Sequence, residues 1–209
     1  MIDVSYLIMV SLIATIPIPV FWYVFRFRLR TMLLGAVAII LAVIVEIGYE
    51  KAMNGQNLLL MVVFIAPIIE ETIKMIMTWF GKNVKTGVGI GLGFAVIENT
   101  LYYLSYPFML PQLIMLREFS DPLLHSTGAG VSSGAWKKPW KYFIAISLHS
   151  LYNIVALTNS VLYISVLSTG YLGILLFLKW KDGSGKFQKE NHGTNKDMIS
   201  DLKKGKIEV

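Results

Sequence analysis

Four short polar strings stand inside apolar stretches of this chain: Glu70, Glu71 and Lys74; Glu98 and Asn99; His125; and His149 with Asn153. Carboxylates, imidazoles, an ammonium and an amide are a sufficient set for hydrolysis. They offer a base for water, a cation to compensate a carboxylate, and donors for the oxyanion that forms on a carbonyl. Ionisable groups in an apolar setting need partners or a water-filled cavity, so several at one depth point to a chemical site. Other chemistries drop out early. The chain has no cysteine, which removes disulfides and thiolate nucleophiles. It also has no G-x-S-x-G, Walker A or H-E-x-x-H string.

The elements that must position these groups follow from composition. Hydrophobic residues make up 55% of 209, charged residues 15%, and mean hydropathy is +0.61, a balance foreign to a soluble domain. Charges cluster at 26–30, 81–85, 136–141 and from 179 onward, with apolar runs near membrane-spanning length between them. The pattern predicts an all-α, polytopic transmembrane helix bundle of about seven spans, near 4–25, 31–50, 58–80, 86–106, 119–135, 142–158 and 160–179. The first carries Arg26, Arg28 and Arg30 behind its apolar stretch, the reverse of a secretory leader, and is expected to stay as an anchor kinked at Pro17 and Pro19.

With the amino terminus outside, every Lys and Arg except Lys51, Arg117 and the intramembrane Lys74 falls on the cytoplasmic side. The expected orientation is therefore amino terminus out, carboxyl terminus in. The net charge of +6 then finds its counter-charge in the lipid bilayer and calls for no nucleic-acid partner. Residues 1–180 read as the transmembrane domain, with a catalytic core about 58–158. Residues 181–209, polar and Lys-rich, read as a mobile cytoplasmic tail without a core, and His192 in it as a solvated residue.

Helical spacing puts Glu70 and Lys74 on one face and Glu71 about 100° around. Lys74 would compensate one carboxylate and leave the other to take a proton from water; spacing does not say which. The blander alternative is a Glu70–Lys74 pair that only holds the bundle together. Gly87, Gly89, Gly91 and Gly93 form two overlapping small-xxx-small pairs, a signal for close helix packing beside Glu98. No strand precedes them, so they do not read as a nucleotide loop. Asn99 suits an interhelical hydrogen bond. Arg117, Glu118 and Asp121 read as lying near the outer surface, with His125 sent inward, and His149 and Asn153 lie one turn apart on one face. Helical rise from the nearest cytoplasmic charges places Glu70 and Glu71 about 17–18 Å deep, Glu98 about 20 Å, His125 and Asn153 about 18 Å and His149 about 12 Å. Four helices thus bring polar groups to one layer near mid-membrane.

EETIK resembles an E-E-x-x-K motif, FAVIEN an F-x-x-x-E-N, Arg117 with His125 an R-x7-H, and His149 with Asn153 an H-x-x-x-N, all in the order found in PrsW-type intramembrane proteases. Those enzymes are distantly similar to CAAX prenyl endopeptidases and bacterial Abi proteins. Over residues 58–158 the four motifs together are specific. Phe94 with Glu98, where CAAX-type enzymes carry F-x-x-x-H, favours the PrsW branch and argues against a prenylated substrate.

The resemblance implies cleavage of membrane-anchored proteins such as anti-sigma factors, by a multi-pass protein of the cell membrane. The residues suit that activity. Glu70 or Glu71 would act with His125 to deprotonate water, and His149 and Asn153 would donate to the oxyanion. Glu98 would orient a histidine or share a proton with the glutamate pair, with Lys74, Asn99 and Arg117 in support. A metal-free site is slightly preferred, because these groups supply base, compensation and oxyanion donor unaided. Zinc held by Glu71, His125 and His149 is the alternative cofactor arrangement. A non-catalytic scaffold that binds transmembrane helices is the alternative function.

Overall fold

The computed structural model describes residues 8–9, 12–54, 57–106, 111–158 and 160–203, with the side chains of Pro111 and of residues after Asp182 left aside. Charge clusters and prolines cut these residues into helices α1 Pro17–Phe25, α2 Leu29–Ala52, α3 Ala66–Met77, α4 Val84–Ser105, α5 Pro111–Ser132, α6 Trp140–Leu157 and α7 Val161–Lys203. Among the described residues there is no strand. An apolar helix from Leu12 is interrupted at Thr15 and Ile16, and α1 restarts with Pro17 in its first turn, where a missing N–H costs least.

Polarity is distributed the wrong way round for water. Leu33, Ile40 and Ile44 of α2, Phe143 and Ile154 of α6 and Leu162, Val166 and Phe177 of α7 are exposed, while Glu71, Lys74, Asn99, Asp121 and His125 are buried. A soluble bundle reverses this assignment; a bundle facing lipid requires it. Among the described residues, α2 and the Val161–Asp182 part of α7 are long and apolar enough to cross a membrane by themselves. The backbone of α7 continues as helix to Lys203, and the expected tail over 181–209 falls mostly on residues whose side chains lie outside the description.

Helix α4 lies between α2 and α5, and its glycines make that possible. Gly87 and Gly91 face α5, where a methyl group would overlap the carbonyls of Ala129 and His125; Gly89 and Gly93 face α2, where it would overlap Thr31 and the Met32 carbonyl. Each small-xxx-small pair therefore serves a different neighbour. Asn83 caps α4 by accepting the Thr86 N–H at 2.9 Å. Near that end Trp136 Nε1 donates to Thr78 Oγ1 at 3.0 Å, and the Lys82 ammonium sits 3.2 Å from the Trp79 ring centroid. Such a Trp and Lys cluster suits a membrane–water boundary.

One expectation needs correction. The fifth span was expected from 119, leaving Arg117, Glu118 and Asp121 near the outer surface, but α5 begins at Pro111. Two extra turns carry those residues into the bundle, where Glu118 and Asp121 are buried.

Candidate active site

Pro67, in the first turn of α3, cannot donate to the Val63 carbonyl, and the chain before it widens into a π-helical turn, Met61–Ile65. Asn153 Nδ2 donates to Val62 O at 2.8 Å and so holds that turn. Immediately beyond it Glu70, Glu71 and Lys74 are buried together. Lys74 Nζ lies 2.6 Å from Glu71 Oε1 and 3.6 Å from Glu70 Oε2. The sequence-expected Glu70–Lys74 pair is thus the looser of two. The ammonium is also 2.7 Å from His125 Nδ1 and 4.4 Å from the Phe94 ring centroid. An ammonium only donates, so His125 Nδ1 accepts and carries the lone pair.

His125 comes from α5, and its orientation is set on the other side of the ring. Nε2 lies 2.6 Å from Glu98 Oε2 and 3.4 Å from Asp121 Oδ1, both acceptors. His149, from α6, mirrors the arrangement: Nδ1 is 3.1 Å from Glu71 Oε1, which leaves the Nε2 lone pair directed at Glu70 Oε2, 3.9 Å away. His125 Nδ1 is also 3.9 Å from that oxygen. The two imidazoles meet edge to face with centroids 5.1 Å apart. Glu70 Oε2 is buried without a hydrogen-bond partner among the described residues.

A carboxylate oxygen and two imidazole nitrogens within 4.8 Å of one another form a donor set that suits a divalent ion. Each histidine has a carboxylate beside its remaining nitrogen, where a metal-bound imidazole usually finds its outer support, and Glu70 Oε2, with Lys74 at 3.6 Å but no hydrogen bond among the described residues, is an acceptor an ion would satisfy. These residues fit such a group. The ligand set expected from sequence contained Glu71; the geometry substitutes Glu70, because Glu71 is turned to Lys74 and His149 Nδ1. Glu98, Asp121 and His125 form a second close group. There Arg117 Nη2 lies 2.8 Å from Glu98 Oε1 and 3.5 Å from Asp121 Oδ1, so a side-chain cation stands beside each group, Arg117 here and Lys74 at the first.

Support extends outward through α4 and α5. Asn99 Nδ2 donates to Glu118 Oε1 at 3.3 Å, the interhelical bond its position suggested, and Tyr103 donates to the same oxygen. Pro122 removes the amide that would bond the Glu118 carbonyl one turn before His125. The Arg117 guanidinium packs 4.1 Å from the Tyr102 ring centroid.

The structure therefore brings Glu70, Glu71, Lys74, Glu98, His125 and His149 together, with Arg117 and Asn99 behind them, and stands Asn153 apart at the π turn. Two residues escaped the sequence argument. Asp121 carried a signal, since Arg117, Asp121 and His125 follow at i, i+4, i+8 along one helix face. Glu46 carried none. It lines a cavity of about 270 Å³ with Glu70, Glu98, Leu101, Tyr102 and Tyr106, and its Oε1 is buried without a partner among the described residues.

No curated protein and no solved structure matches the chain. Residues 24–179 match a protein family described as PrsW family intramembrane metalloprotease, a description that runs against a metal-free site. The match covers more than half of the chain, which therefore belongs to this family of membrane-embedded proteases.

Proposed function

We propose that this protein hydrolyses a peptide bond of a membrane-anchored protein, with Glu70, His125 and His149 holding a divalent ion that is zinc by donor type. The observation that carries the reading is Glu70 Oε2, buried, without a hydrogen bond among the described residues, and 3.9 Å from one ring nitrogen of each histidine, with the Lys74 ammonium at 3.6 Å. When bound, such an ion supplies Lewis acidity to the scissile carbonyl and lowers the pKa of water.

The remaining roles belong to the chain. Glu71 fixes His149 through Nδ1 and is itself compensated by Lys74. Lys74 and an ion would compete for the same His125 lone pair, which lies 2.7 Å from the ammonium, and Glu71 would keep the ammonium if an ion took that nitrogen. Glu98 shares the cavity wall with Glu70; with Arg117 on Oε1 and His125 Nε2 beside Oε2, it uses a remaining lone pair of its carboxylate to take the proton of the attacking water and return it to the leaving amine. Asn153 keeps its place at the π turn through Val62 O and so fixes the segment that leads into Glu70 and Glu71, in place of the oxyanion role expected of it. His149, as an ion ligand through Nε2, gives up the donor role expected of it in a metal-free site.

Around this chemistry we place seven spans with the amino terminus out and the carboxyl terminus in, in the cell membrane, a mobile tail from 181, and regulators of the anti-sigma type as substrates. The positive-inside distribution of Lys and Arg supports the orientation. The test is cleavage of single-span model substrates by purified protein in liposomes. Wild type should cleave, and Glu70→Gln and His149→Ala should not. Absence of cleavage across a broad panel, with the variants binding the same transmembrane partners as wild type, would replace the protease with the scaffold.

A further inference from the structure

A cavity of about 710 Å³ lies at the end of the bundle where α1 meets α2 and α4 begins. Four cations line it: Arg26, Arg28, Arg30 and Lys85. Among the described residues none of them forms an ion pair. One carboxylate, Asp182, shares the wall, and a neighbouring cavity of about 450 Å³, also reached by Arg26 and Lys85, adds Lys179. Positive groups gathered around one void repel each other unless an anion lies between them, and guanidinium forks match phosphate oxygens best. The first turn of α2 has no side-chain cap, so its N–H groups add to the positive field.

Phosphate is the chemistry this wall fits, and it has two sources, a lipid headgroup or a soluble phosphate ester. The rest of the wall separates them. Phe27, Leu34 and the exposed Phe80 line the same cavity, a surface suited to glycerol carbons and the first methylenes of an acyl chain. The Trp79, Trp136 and Lys82 cluster that marks the membrane–water boundary adjoins it through Phe80 and Gly81. Basic pockets between transmembrane helices at the headgroup level are the usual seats of anionic lipids.

We propose that the cavity between α1, α2 and α4 binds the phosphate headgroup of an anionic phospholipid, at a site separate from the carboxylate–histidine cluster. The test is a titration of the full chain in neutral detergent with phosphatidylglycerol, the bound lipid being counted by native mass spectrometry. One basic side chain near a membrane surface changes affinity about fivefold. Lys85→Gln should therefore weaken binding about fivefold and R28Q/R30Q about thirtyfold. K137Q/K138Q removes the same charge elsewhere and should leave binding within threefold. Phosphatidylcholine should not compete, and soluble glycerol 1-phosphate should compete only at concentrations far above those of the lipid. Equal losses in R28Q/R30Q and K137Q/K138Q would reduce the effect to diffuse attraction and overturn the site. Competition by glycerol 1-phosphate at the lipid's own concentration would overturn the lipid as ligand. Lys85→Gln changes one side chain only, so its result stands even if the double variant fails to fold.

Discussion

Replacing Gly91 by alanine should inactivate the enzyme without touching an ionisable group. A Cβ at this position overlaps the His125 carbonyl and crowds the Ser126 Cα, both backbone of α5, so no side-chain rotation relieves it. An ordinary contact needs about 3.5 Å between heavy atoms, and restoring one moves α5 and α4 apart by about 1 Å. The displaced element is the one that carries His125, and misplacement on that scale costs about 100-fold in rate. Overpacking should lower stability by about 1–3 kcal/mol. Gly130 is the internal control: on α5, the helix that carries His125, its added Cβ would lie 3.6 Å from Leu178 Cδ1 and Val88 Cγ2, ordinary contact. The assay is cleavage of a single-span substrate in liposomes, with thermal unfolding measured on the same preparations. Gly130→Ala should stay within twofold of wild type and Gly91→Ala should fall about 100-fold. Near-normal cleavage by a folded Gly91→Ala would refute the claim that α4–α5 contact positions His125.

Breaking the fully buried Lys74–Glu71 pair from one side, by Lys74→Met or Glu71→Gln, should cost about 3 kcal/mol in detergent unfolding, because a buried charge loses its nearest counter-charge. The double variant should regain much of that stability and no activity, since His149 loses its anchoring carboxylate; recovered cleavage would argue that the pair only holds the bundle. Asn153→Ala removes the donor to Val62 O, worth about 1 kcal/mol. It should lower kcat more than stability, as comparison of cleavage rate with the unfolding midpoint will show. Arg117→Lys keeps the charge but loses the fork that joins Glu98 to Asp121; a fall of about tenfold in kcat is expected, and an unchanged rate would remove Arg117 from the positioning of Glu98.

Much of the arrangement was legible in the chain because membranes simplify the code. Apolar runs bounded by Arg26–Arg30, Lys82–Lys85 and Lys137–Lys141 mark the helices, and rise per residue from those boundaries puts Glu70, Glu98, His125 and Asn153 at a common depth, with His149 one turn shallower. The glycine repeat of α4 announced close packing, although only the fold assigns Gly91 to His125 and Gly93 to α2. Other features depended on side-chain direction. Helical spacing allowed Lys74 to meet either glutamate, and the choice of Glu71 follows from what α5 and α6 bring opposite it. The start of α5 was misplaced because the polar string from Arg117 to Asp121 looks like a loop; it forms an interior helix face whose charges pair with α4 and with His125. Asn153 shares a helix face with His149, yet the π turn before Pro67 draws it to a backbone carbonyl instead. Glu46 is one of two carboxylates, with Glu50, near the end of an apolar helix, and its place beside Glu70 and Glu98 exists only in three dimensions.

The most direct test of the central claim is metal content and cleavage measured on the same purified samples of wild type and Glu70→Gln. Wild type should carry close to one equivalent of a divalent ion, lose cleavage on chelation and recover it with zinc, while a folded Glu70→Gln should bind the ion weakly and cleave nothing. Full cleavage by chelated, metal-free wild type, or normal ion content in Glu70→Gln, would contradict a site in which Glu70, His125 and His149 hold the ion.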